Sequence, residues 1–182
     1  MLGGLKTGDH LKFQKLSILN AEAIASWRYA GEYSAYDISD VAMESSVHYM
    51  IDSGNRFFGA YEDEELVGFC SIGTDGQVRV GAYDESAADI GADMRPDLVG
   101  RRRGSLFLRS VVDFVESEIG AGNLRATIAS WNERALRAAR AVGFLRQSTF
   151  IRSDGKEFTV LVRAGGSTKL TPQQPTAERR GS

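Results

Sequence analysis

The run MRPDLVGRRRGSLFLRSVVDF, Met94 to Phe114, constrains this chain more than any other stretch. An extended segment ends in Met-x-Pro, three arginines stand between Gly100 and Gly104, and an apolar helical pattern follows at once. Leu106, Phe107, Val111, Phe114 and Val115 recur at helical spacing, which predicts a helix from Ser105 onward. The first turn of a helix carries unpaired backbone N–H groups and the positive end of the dipole, and flanking glycines let a phosphate approach that backbone. The turn therefore reads as an anion cradle. Its spacing fits neither G-x-x-x-x-G-K-[ST] nor G-x-G-x-x-G, so the nucleotide P-loop and the dinucleotide fingerprint are both excluded.

The arginine run is a local feature. Across 182 residues the net charge is -2, which argues against a surface built for nucleic acid. A hydrophobic content of 42% suffices for one buried core in one domain. Cys70 is the single cysteine, so no intramolecular disulfide is possible and a reducing, cytoplasmic setting is expected. Its apolar surroundings in the sequence suggest a buried, inert thiol. The start of the chain lacks an apolar signal core, and no stretch nears the ~20 apolar residues of a spanning helix, so a soluble protein without a membrane partner is expected. His10 and His48 are isolated, and no metal site is expected.

A pass along the chain predicts a flexible N-terminus over 1–9, one domain over 10–164 and a disordered tail over 165–182. Within the domain, 10–17 alternates like a strand, Asn20 is positioned to cap a first helix, and Ser39 or Asp40 a second one reaching Asp52. Two strands about an acidic turn at Glu62 to Glu65 form a hairpin, and a third strand falls at QVRVGAY or at ADIGADM. After the Ser105 helix come a strand over 124–130, a helix over 132–142 capped by Asn132, and a closing hairpin about Asp154-Gly155.

This order, together with two motifs, resembles the GNAT superfamily of acetyl-coenzyme A dependent N-acetyltransferases. The first motif is the coenzyme turn, usually [QR]-x-x-G-x-[GA] after an apolar-x-Pro, standing here as MRPDLVGRRRG. The second is Asn-x-x-Ala with a later Gly-Phe, standing here as NERALRAARAVGF. The resemblance covers about residues 10 to 164 and implies an α+β fold with a mixed sheet of six to seven strands flanked by four helices. It implies acetyl transfer from acetyl-coenzyme A, with no metal, to a primary amine of a small molecule or protein, by direct attack in a ternary complex. The chain would act as a monomer or homodimer.

Site residues follow from the same resemblance. Backbone N–H groups over Val99, Gly100, Arg101, Arg102, Arg103, Gly104 and Ser105 would hold the pyrophosphate, with the arginine side chains adding charge. The Met94 N–H would polarise the thioester carbonyl, and Asn132 would contact the pantetheine arm. Three positions depart from the family pattern. Val99 replaces the usual Gln or Arg, Arg102 the middle glycine, and Ala139 the tyrosine that protonates the departing thiolate in many members.

From the residues themselves, strand alternation puts Asp89 and Asp93 on one face, as candidate bases for the acceptor amine. Trp27, Tyr33 and Tyr36 are candidates for the acceptor pocket. The alternative function is a catalytically weak, coenzyme-binding regulatory module of the same fold.

Overall fold

The computed structural model describes residues 11–79, 81–120 and 122–165. The segment expected to be flexible at 1–9 lies outside the described residues, as do His10 and all but Gly165 of the tail expected to be disordered over 165–182. β2 (Phe57–Glu62) and β3 (Glu65–Ile72) form the expected hairpin. Asp63 and Glu64 between them both take left-handed φ angles, 47° and 67°, the geometry in which a two-residue turn matches the strand twist. β1 (Lys12–Lys15) adds antiparallel to β2, and β4 (Ala88–Met94) antiparallel to β3. Of the two candidates for the third strand, ADIGADM forms it. Gln77 from the other segment reaches down to β4, where its Nε2 donates to Asp89 Oδ2 at 2.8 Å.

β5 (Leu124–Ala129) lies parallel to β4, and β7 (Glu157–Arg163) and β6 (Leu145–Ile151) complete a seven-stranded sheet in the order β1-β2-β3-β4-β5-β7-β6. Four α-helices flank it: α1 (Ile18–Ala25), α2 (Met43–Ile51), α3 (Gly104–Ile119) and α4 (Glu133–Ala141). The mixed sheet and its four helices agree with the α+β architecture expected from the sequence. Asn132 caps α4 as expected, its Oδ1 accepting from the Ala135 N–H at 3.1 Å. The cap of α1 differs. Ser17 Oγ accepts from the Asn20 N–H, while Asn20 sits inside the helix and donates to Tyr61 Oη at 2.6 Å.

Helices cover both faces of the sheet. Phe107, Val111, Val112 and Val115 of α3 join Leu136 and Ala139 of α4 over Cys70, Ile90, Leu124 and Leu161 in the larger core. Ala21 and Ile24 of α1 with Val47 and Met50 of α2 pack toward Phe57 and Phe69 on the opposite face. Each large side chain so buried contributes about 1.5–3 kcal/mol. Cys70 is sealed in the larger core, and burial pushes its thiol up to about 12, so it is no nucleophile.

Candidate active site

Parallel pairing of β4 with β5 ends at Ile90 and Ala126. Beyond it β4 continues along β3 and β5 continues along β7, so the sheet splits into a wedge. The Arg95 N–H donates to the Val67 carbonyl at 2.9 Å, which fixes the phase of the antiparallel ladder. By its alternation the backbone groups of Ala92 and Met94 turn away from β3, into the wedge. A cleft of about 720 Å³ passes through this opening. Its lining joins Phe107, Leu108 and Ala138 on the α3/α4 face to Phe57, Phe69 and Asp75 on the α1/α2 face.

The arginine turn forms one wall. Gly100, at φ +83°, makes the bend, and α3 opens at Gly104 with no side-chain cap. Its first bond runs from the Phe107 N–H to the Arg103 carbonyl, leaving the N–H groups of residues 100–106 without partners among the described residues. Val99, Gly100, Arg102, Gly104 and Ser105 all line the cleft. The three arginine side chains diverge. Arg102 faces the cleft, at a φ of +58° where a glycine would be unstrained, and Arg101 is exposed outside the lining. Arg103 corrects the expectation that every arginine side chain adds charge to the site. It is buried, and its Nη2 lies 2.6 Å from Glu62 Oε2, tying the turn to β2.

A cation not singled out in the sequence stands in its place. Arg134, in the first turn of α4, sets its guanidinium carbon over the Tyr33 ring, 3.5 Å from its centroid. Its Nη1 would come 3.6 Å from a Cβ at Gly100, and its buried Nε has no hydrogen-bond partner. Free N–H groups with an under-bonded guanidinium suit a pyrophosphate.

The two aspartates part as well. Asp89 is buried, directly opposite Arg125 in the β4/β5 register, and its Oδ1 and Oδ2 lie 2.7 and 2.8 Å from Arg125 Nε and Nη2. With Gln77 also on Oδ2, the carboxylate is fully engaged and outside the cleft lining. This corrects its reading as a candidate base: Asp89 is a strut between β4 and β5. Asp93 is half-buried in the cleft and has no side-chain partner among the described residues. Withdrawal from water pushes its carboxyl up to about 6.

The aromatic link between α1 and α2 crosses the mouth of the wedge. Tyr29 Oη donates to the Met94 carbonyl at 2.8 Å, and Tyr36 Oη accepts from Asn132 Nδ2 at 3.0 Å. Tyr33 and Tyr36 line the cleft and pack on Trp131, with ring centroids at 5.3 and 5.7 Å. Trp27 does not reach the cleft. It packs against Phe69 at 6.0 Å beside the smaller core, which corrects its assignment to the acceptor pocket. No group of three potential metal ligands occurs among the described residues.

With this geometry in place, comparison with known proteins decides the family. The model of the acetyltransferase (GNAT) family matches residues 20–144. The chain belongs to the GNAT family. Comparison with curated proteins gives no match. Among solved structures, a GNAT acetyltransferase from Bacillus anthracis is 14% identical, with 86% of this chain and 95% of that one aligned at a TM-score of 0.66. An aminoglycoside acetyltransferase in complex with coenzyme A and kanamycin is 15% identical over 85% of this chain and 94% of its own, at 0.66. A spermidine N-acetyltransferase chimera involving Vibrio cholerae is 14% identical over 85% and 95%, at 0.59.

One departure from the GNAT pattern gains a structural meaning. Ala139 has no exposed surface and lies in the larger core, outside the cleft lining, so it does not face the site as its motif position implied. A tyrosine ring there must displace packed neighbours. Ala139→Tyr is expected to lose about 1–3 kcal/mol of stability, read from denaturant midpoints, with no gain in turnover.

Proposed function

We propose that this GNAT protein moves an acetyl group from acetyl-coenzyme A to the primary amine of a small cationic molecule, by direct attack in a ternary complex. The observation that carries the reading is the cleft through the wedge, which joins an unpartnered helix start on one face of the sheet to Asp93, a half-buried carboxylate with no side-chain partner among the described residues. The turn from Val99 to Ser105, with Arg102 and Arg134, would hold the pyrophosphate. The pantetheine arm would lie in the wedge against the β4 edge. The N–H groups of Ala92 and Met94 face that space and would stabilise the thioester oxyanion.

Acceptor recognition follows from charge and aromatic surface. Arg102, Arg134 and Arg137 line the cleft toward the arginine turn and α4, whereas Asp93 and Asp75 are its carboxylates toward the α1/α2 face, where Phe57, Phe69 and Tyr36 supply ring faces and edges that suit a cation. Asp75 is itself fixed by Tyr49 Oη at 2.6 Å and the Arg56 N–H at 2.7 Å. At neutral pH Asp93 is mostly ionised, so it attracts the ammonium and accepts its proton as the amine attacks. The kanamycin and spermidine of the neighbours' names are cationic amines, in keeping with this class. Cys70, single and buried, supports a reducing, cytoplasmic setting.

The weak regulatory module remains as a second reading because no tyrosine stands at position 139. Gly104→Val tests the site shared by both. A Cβ at Gly104 meets only the Ala138 Cβ at 3.6 Å, so the fold tolerates the change while the added methyls enter the cradle. Titration calorimetry is expected to show coenzyme A affinity falling at least about tenfold, or about 1.4 kcal/mol. Unchanged affinity in the folded variant refutes the cradle. Thiol release with acetyl-coenzyme A and a panel of amines separates the enzyme from the module.

A further inference from the structure

We propose that Tyr36 is the acid of this reaction, its phenol delivering a proton to the coenzyme's sulfur as the carbon–sulfur bond breaks. The inference rests on the acetyl-transfer reading above and names the donor which that reading leaves unassigned.

The hydrogen bonds decide which hydroxyl has a proton to give. Tyr29 and Tyr36 meet opposite lips of the wedge, Tyr29 at the end of β4 and Tyr36 just past β5. Tyr29 Oη has its proton committed to the Met94 carbonyl. Tyr36 Oη is an acceptor in its bond to Asn132. The amide of Asn132 cannot be reversed, because its Oδ1 caps α4 on the Ala135 N–H, which leaves Nδ2 to point at Tyr36. The Tyr36 proton is therefore free, with no acceptor among the described residues, on a ring that lines the cleft and is braced by Trp131.

The electrostatics keep that proton in place until it is needed. Tyr36 is 37% exposed, and partial withdrawal of its phenol from water, then the charge of Asp93 from β4 and the neighbouring Tyr33 within the link, raise it above its ordinary value against the opposing bond from Asn132. Arg134, the nearby cation, is stacked on Tyr33. Position 139 holds an alanine sealed in the core and supplies no donor.

In the step, the amine nitrogen bonds to the thioester carbon, and the carbon–sulfur pair goes to sulfur with the Tyr36 proton, giving the free thiol. Of the two protons that leave the original ammonium, Asp93 accepts one and passes it to solvent. The other returns through water to the tyrosinate, so one proton is released per turnover. Donor and base thus act from separate walls of the cleft.

The contact can be read without turnover. In the full chain carrying 3-fluorotyrosine at position 36, the fluorine resonance is expected to move on saturation with coenzyme A and to move less than half as far with desulfo-coenzyme A. Equal shifts from the two overturn the proposal. Tyr36→Phe is then expected to keep coenzyme A affinity within about twofold while kcat on acetyl-coenzyme A falls about 10²-fold or more, with spermidine and kanamycin as acceptor probes. Unchanged kcat, or an effect confined to the acceptor KM, overturns the acid role and leaves acetyl transfer standing. A wild-type chain that acetylates none of a broad amine panel overturns both readings.

Discussion

Asp89→Ala is expected to cost the fold about 3–5 kcal/mol, because it leaves the buried Arg125 guanidinium without its bidentate partner where β4 and β5 still pair. Arg125 is 4% exposed, so water cannot replace the lost carboxylate. Its remaining contacts, Asp84 Oδ1 at 2.8 Å and the Asp84 carbonyl at 2.9 Å, lie toward solvent and compensate only in part. The wedge begins one residue further along, so the pair holds the vertex from which the two strands diverge. A urea midpoint shifted down with the m-value unchanged would register this loss. Replacing both partners by apolar residues of similar volume is expected to restore much of it, since that also removes the two desolvation penalties. An Asp89→Ala variant of wild-type stability would show that the pair is no strut.

Asp93→Asn is expected to act in the opposite way on stability and far more strongly on rate. Turnover should fall at least about tenfold and toward the 10²–10⁴ range of a lost general base, with coenzyme affinity unchanged. The wild-type profile of kcat/KM against pH should carry an acidic limb near pH 6, where the carboxyl titrates, and activity is lost as pH falls through it. The stability sign follows from the same shift. The folded carboxyl titrates at about 6 against an ordinary 3.8, so the folded state binds this proton more tightly than the unfolded chain does. Its charged form therefore costs stability above pH 6, and that cost fades as pH drops toward 4. Asparagine removes the cost, so the variant should be more stable than wild type at pH 7 by about 1–3 kcal/mol, with the gap closing in acid. A variant that is inactive and also less stable would mark Asp93 as a structural residue.

These two aspartates show where sequence reading stopped. Both lie on β4 with the same alternation, and the pattern alone made them equivalent. What separates them is Arg125, 36 positions along the chain and brought opposite Asp89 only by the parallel pairing of β4 with β5. Arg101, Arg102 and Arg103 were likewise alike until Glu62 of β2 claimed Arg103. Ala92 was legible in principle, because it shares the parity of Met94 along β4. Arg134 lay within the quoted motif, but its stacking on Tyr33 joins positions about a hundred residues apart.

By itself the sequence determined what is local in the chain. Hydrophobic spacing marked the strands and helices, Asn132 capped α4, and glycines flanked the basic turn, so the order of elements and the family resemblance were readable from residues a few positions apart. Only the tertiary structure decided which of several like side chains are engaged and which are free. A carboxylate, guanidinium or phenol takes its role from the partner that reaches it through space and from the water it loses, and neither is encoded in its neighbours along the chain.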